Sequence, residues 1–145
     1  MCLTKITSKK CELWDTDEYR TGYKVIVDQT DNWQPLYYAH IKKHPFNQWI
    51  TDKKHYRSSS ININCIGFHI FATCDNAETY LLSLCNINAN IRIGFNEERQ
   101  YCTIFKIRYR KVVMRGTQRV LGKDRTEWVN TKCVVAKEIY VEKEN

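Results

Sequence analysis

The sequence is poor in chain breakers, with 2 prolines and 5 glycines in 145 residues. Too few are present to build a linker, no internal repeat is visible, and a single domain over residues 1–145 is expected. Long apolar runs are missing as well. None approaches the roughly 18 residues of a membrane-spanning helix, and Met1 to Lys10 is polar where a secretory leader would be apolar. The expectation is a cytoplasmic protein with no membrane partner. The chain also lacks C-x-x-C spacing among its 7 cysteines, which removes zinc-ribbon and thioredoxin-like motifs. An odd number of thiols in a reducing compartment points to free cysteines rather than a disulfide framework. There is no P-loop, no dinucleotide glycine fingerprint and no Ser-His-Asp order. His40 and His44 are spaced for one helix face, but Pro45 follows at once and no zincin glutamate lies between them, so no metal site is expected.

What the chain does have is positive charge. Lys and Arg number 23 against 16 Asp and Glu, a formal +7 that favours polyanionic partners through long-range attraction. The alternation of Tyr23, Val25 and Val27 predicts a strand over 22–28. The stretch 33–50 is aromatic but interrupted by Pro35 and Pro45, which predicts short elements at most. Strand-like patterns follow at 61–71 around Gly67, at 91–95, at 101–114 and at 128–141. Between them Asp75 and Glu78 form a capping-box pattern, with Ala77, Tyr80, Leu81, Leu84 and Cys85 on one face, which predicts a helix over about 75–86. The expected fold is therefore α+β: a bent antiparallel sheet or split barrel with one main helix.

Period-two geometry on the strand over 101–114 puts Lys106, Arg108 and Arg110 on one face. Guanidinium groups in a row suit phosphates, and Tyr109 would add a base-stacking surface if oriented outward. A second basic cluster, Lys53, Lys54, Tyr56 and Arg57, lies in a polar loop and offers the same chemistry. Against these stands the plain alternative that both are solvated basic surfaces.

The start Met1-Cys2-Leu3, then Gly22-Tyr23-Lys24-Val25, Gly67-Phe68-His69, a capped helix and Val134 to Ile139 resemble a group of small uncharacterised phage and bacterial proteins. The resemblance implies a virus-encoded protein in the host cytoplasm, in a host-takeover or anti-defence setting. Gly67 to Ala72 followed by Ala77 and Tyr80 is also similar to ADP-ribosyltransferase-like folds. That second resemblance implies NAD as cofactor, His69 in the place of the central tyrosine and Glu138 as the late acidic residue. The first-strand His or Arg of that pattern is absent here.

Taken together, the leading expectation is a non-enzymatic binding protein without cofactor. It would capture an anionic partner: a nucleic acid, a signalling nucleotide or an acidic face of a host protein. The alternatives are an NAD-using enzyme, and an inhibitor that grips a host protein through Trp33 to Trp49. The sequence is silent on oligomeric state.

Overall fold

The computed structural model describes residues 3–35, 43–52, 67–87, 101–122 and 126–144. Through them run β1 (Lys5–Ser8), β2 (Arg20–Asp28), β3 (Asn32–Pro35), β4 (His44–Pro45), β5 (Trp49–Thr51), β6 (Phe68–Phe71), α1 (Cys74–Ile87), β7 (Tyr101–Leu121) and β8 (Trp128–Val141). All eight described strands belong to one antiparallel sheet. This corrects the expected α+β class. The fold is predominantly β, and the described residues hold one helix of 14 residues. Two segments account for the difference. The strand that begins at Tyr101 continues past Met114 to Leu121, and Lys5–Ser8 adds an edge strand where only a mixed polar lead was expected. The expected strands at 61–66 and 91–95 lie outside the described residues.

The central strand is β7. One edge pairs with β2, from Arg20↔Tyr109 to Asp28↔Tyr101. The other pairs with β8, from Ile107↔Val141 to Leu121↔Trp128. Strand β8 passes on to β6, and the single pair Tyr23↔Phe71 joins β6 back to β2. Hydrogen bonding thus closes a ring of four strands, β2–β7–β8–β6.

Along the middle of β2 the ring is buried on both faces: Lys24, Val25, Ile26 and Val27 are all buried. Ile26 packs in a cluster with Ile70, Ile107, Tyr109, Val112, Val134, Ala136 and Ile139. Val25 and Val27, on the other face, pack with Phe71, Met114, Val135 and the helix residues Ala77, Tyr80 and Leu81. Lys24 reaches through this apolar surround to donate to the backbone oxygen of His69 at 2.9 Å. Burial pushes its ammonium down to about 8, and burial likewise pushes the nearby Cys133 thiol up to about 12.

The helix is capped two residues earlier than expected. Thr73 is the N-cap: its hydroxyl oxygen accepts from the Asn76 amide at 3.1 Å and its carbonyl accepts from Ala77. Asp75 lies inside the first turn, where its charge favours the helix dipole.

A strand bonded along both edges cannot stay straight inside a ring this small. Strand β7 bends at Lys111, a non-glycine residue at φ 57° in the left-handed region. Immediately after it the pairing with β8 slips by one residue between Val112 and Met114. The segment Glu12–Trp14 fastens this bend. Lys111 N donates to Leu13 O, Glu12 and Val112 exchange two backbone bonds, and Trp14 Nε1 donates to Val112 O at 2.9 Å. Left-handed geometry at a non-glycine residue costs about 1–3 kcal/mol and persists where surrounding bonds over-determine it, as they do here.

Gly22 shows how tightly the ring is filled. A Cβ built there would lie 2.5 Å from Ile70 Cγ2 and 3.3 Å from Tyr109 Cε1. Gly22→Ala is expected to cost about 1–3 kcal/mol by overpacking. In an Ile70→Ala background, which removes the clashing methyl at its own cost of about 2–5 kcal/mol, the same change should cost much less. A double-mutant cycle in urea measures this coupling; additive losses would show that the glycine is not held by that contact.

Candidate functional site

Of the residues singled out in the sequence, Lys106, Arg108 and Arg110 do share the outer face of β7. Their environments differ along the row. Lys106 is exposed. Arg108 sits between two phenol rings, with its guanidinium carbon 5.1 Å from the centroids of both Tyr19 and Tyr140. It also meets Glu142 at 3.4 Å, in a pair whose side chains are 38% and 58% exposed. Arg110 lies 4.0 Å above the Trp49 ring and donates through Nε to Glu138 at 2.8 Å, with Asp17 at 4.0 Å.

The register explains the match. On β8, Glu138 faces Arg110 and Tyr140 faces Arg108, so an acidic and aromatic row lies directly against the basic one. Strand β5 extends the arrangement, because Trp49 pairs with Tyr140 and Thr51 with Glu138. Trp49 meets Tyr140 at 5.7 Å edge to face, and Tyr19 at 6.2 Å. These are separations at which aromatic pairs attract.

Glu138 is the centre of the polar part. Its side chain is 7% exposed. Thr51 Oγ1 donates to Oε2 at 2.6 Å, while Arg110 Nε and Lys111 Nζ reach Oε1 at 2.8 and 3.2 Å. Burial alone would raise the Glu138 carboxyl; hydrogen bonds from Thr51, Arg110 and Lys111 and the Arg110 charge outweigh it and hold the group below the usual carboxylate range. Lys111 takes part only because the bend breaks the alternation. Its left-handed backbone turns its side chain to the same carboxylate as its neighbour Arg110, and its Nζ lies 5.9 Å from the Trp14 ring. A second carboxylate, Glu12, binds Arg115 at 2.7 Å and Arg20 at 3.3 Å. The hydrogen bond from Arg115 holds Glu12 low.

The other expected residues are placed differently. Tyr109 faces inward, 6% exposed in the core, so it presents no outward stacking surface. His69 is 2% exposed on β6, and Glu138 is committed to Thr51, Arg110 and Lys111. Lys53, Lys54, Tyr56 and Arg57 lie outside the described residues. Trp14 and Tyr19, 40% and 47% exposed, are aromatic surfaces that sequence reasoning left out of the site. For Tyr140 a signal existed: Glu138 and Tyr140 on β8, with Glu142 just past its end, alternate as the basic row does along β7.

Among the described residues, no group of three or more His, Cys, Asp or Glu could hold a metal ion. Among them too, no helix is long and apolar enough to cross a membrane. No protein-family model, curated protein or solved structure matches the chain.

The lowered Glu138 carboxyl gives a pH signature. A group whose pKa is depressed by folding contributes stability that is present above its unfolded value, about 4.3, and lost as pH falls through the folded value. Glu138→Gln should therefore melt below wild type at pH 7, and the gap should close as pH falls below the unfolded carboxylate value and through the lowered folded one. A gap independent of pH would mean that the carboxylate charge contributes nothing to its partners.

Proposed function

We propose that this chain is a non-enzymatic single-strand nucleic-acid-binding protein, and that the outer face of β7 with Trp14 and Tyr19 is its binding surface. The observation that carries the reading is Arg108 lying between Tyr19 and Tyr140 on a face that runs from exposed Lys106 to exposed Trp14. Single strands are held by cations that track phosphates and by aromatic faces on which bases stack, the second worth about 1–3 kcal/mol per base. Both kinds of group interleave here.

The roles divide by how firmly each cation is already held. Arg110 and Lys111 answer a buried carboxylate and stay with it, because removing either leaves Glu138 under-paired. Arg108 answers an exposed one at 3.4 Å. Surface pairs of that kind are worth about 0–1 kcal/mol, so exchanging Glu142 for a phosphate costs little. Lys106 and Arg108 are thus the phosphate contacts, and Tyr19 and Trp14 the stacking platforms. The overall +7 charge supports the same partner. The proposed setting is the cytoplasm, where the free thiols Cys11 and Cys133 are stable.

Fluorescence anisotropy with a labelled oligothymidylate separates the two contributions. Lys106→Ala with Arg108→Ala should weaken binding and flatten the log–log salt dependence by roughly 0.7 for each lost phosphate contact. Tyr19→Ala should weaken binding about 5- to 100-fold, the range corresponding to one stacked base, and leave the salt slope in place. If all three variants bind as wild type does, this face is a solvated surface and the reading fails.

A further inference from the structure

The far end of β7 repeats the pairing seen at Arg108. The guanidinium carbon of Arg119 lies 5.2 Å from the centroid of the Trp128 ring on β8, and Trp128 stays 57% exposed. The register brings two lysines to the same place. Lys5 on β1 and Lys132 on β8 both stand opposite Thr117, one on each side of it. Arg119 lies two residues further along β7, which makes it the diagonal neighbour of both, at roughly 7–8 Å. Lys5, Arg119 and Lys132 are all exposed. Behind them the sheet is covered by α1. Val120 packs inward with Ala77, Tyr80 and Leu81, and the Leu121 amide donates to Ser83 Oγ at 3.3 Å. Strand alternation therefore turns Arg119 and the two lysines away from the helix.

The charge at this end is unbalanced. Arg20 and Arg115 share Glu12, Arg108 meets Glu142, and Arg110 and Lys111 share Glu138. Among the described residues, no carboxylate pairs with Lys5, Arg119 or Lys132. Like charges held side by side on a sheet repel, and an anion lying across them removes that repulsion. A small anion would answer the cations and leave the indole unused. A polymer of phosphates that carries aromatic bases answers both. Because an arginine against an aromatic ring recurs on the same strand, the ligand that suits the Arg108 surface suits this one.

We infer that the outer face of β1, β7 and β8 around Arg119 is a second contact surface for single-stranded nucleic acid, with Lys5, Arg119 and Lys132 on phosphates and Trp128 stacked on a base. One strand then spans both ends of β7. The inference takes its ligand from the single-strand reading and rests on it in that respect. Arg108 and Arg119 lie on one strand at about 3.3 Å per residue, so they are at most roughly 36 Å apart. About 11 nucleotides at roughly 3.4 Å each cover that distance, within the roughly 4–16 that single-strand-binding folds occupy. A tetranucleotide is too short to touch both surfaces.

Fluorescence anisotropy with labelled oligothymidylates of about 4 and about 16 nucleotides, the two ends of that range, tests it. Lys5→Gln combined with Arg119→Gln and Lys132→Gln should flatten the log–log salt dependence for the longer oligomer by roughly 2, at about 0.7 per phosphate contact. Trp128→Ala should weaken the longer oligomer about 5- to 100-fold and keep its salt slope. The shorter oligomer, held at the Arg108 surface, should bind both variants nearly as it binds wild type. All four positions are exposed, so both variants should melt as wild type does. Lys106→Ala with Arg108→Ala, measured beside them, separates the two surfaces. If that variant loses binding while the Arg119 and Trp128 variants keep the longer oligomer at the wild-type level, this inference is overturned and the Arg108 reading stands. If the Arg119 and Trp128 variants lose the longer oligomer and Lys106→Ala with Arg108→Ala does not, the Arg108 reading fails and the second surface stands. No binding of either oligomer by wild type overturns both. Sedimentation with phosphatidylserine vesicles that needs Trp128, with the longer oligomer unaffected, would give this face to a lipid surface and overturn the inference.

Discussion

A strand that hydrogen-bonds to β2 on one edge and to β8 on the other, within a ring of four strands, must turn sharply somewhere along its length. In this chain the turn is at Lys111, and the rest of the architecture follows from how it is held. Strain at a non-glycine left-handed residue is tolerable only under constraint. The constraint comes from the opposite end of the sequence, where Glu12, Leu13 and Trp14 bond to Lys111 and Val112. Residues separated by about a hundred positions therefore determine one backbone angle. That angle in turn decides that Arg110 and Lys111, adjacent in sequence, address the same carboxylate.

The basic face and the fold's closure are consequently one object. The carboxylate that fixes Arg110 sits opposite it by register, and Thr51 arrives because β5 extends the sheet along β8. Buried ion pairs are costly to half-remove and contribute less to stability than to a defined arrangement. Here the arrangement so defined is the outer surface of β7. Its rigid centre is Glu138 with its three donors, and its exchangeable rim is Lys106, Arg108 and the rings around them.

How much of this the sequence carried depends on whether each feature is local. The side-sharing of Lys106, Arg108 and Arg110 follows from strand alternation and was readable, as was the inward turn of Tyr109, which the same alternation places on the other face. The helix was readable because an apolar stripe at period 3.6 is local, although Thr73 rather than Asp75 caps it: both are good cap residues two positions apart. What was not readable is what pairing supplies. Nothing within β7 says that Glu138 and Tyr140 stand opposite it, or that Trp49 and Tyr19 cover its arginines. Nor does the local pattern predict the slip at Val112, where a bulge answers a demand of the ring rather than a preference of its own residues.

Ring closure also sets an order of events during synthesis. The apolar run Val25-Ile26-Val27 is buried by β7, whose pairing residues start at Tyr101, so more than seventy residues must be made between a strand and its partner. Contacts so distant in sequence form late and slowly, because the chain entropy of the intervening loop is lost before any pairing compensates it. The hairpin of β7 and β8 is a local unit and can assemble as soon as it is complete. Until then β2 leaves the ribosome with both faces apolar, one edge met only by the short β3 and the β7 edge unpaired, a surface that aggregates or engages chaperones. Nascent chains truncated before Tyr101 are thus expected to be held by chaperones, and release into the folded state must wait for the last strand.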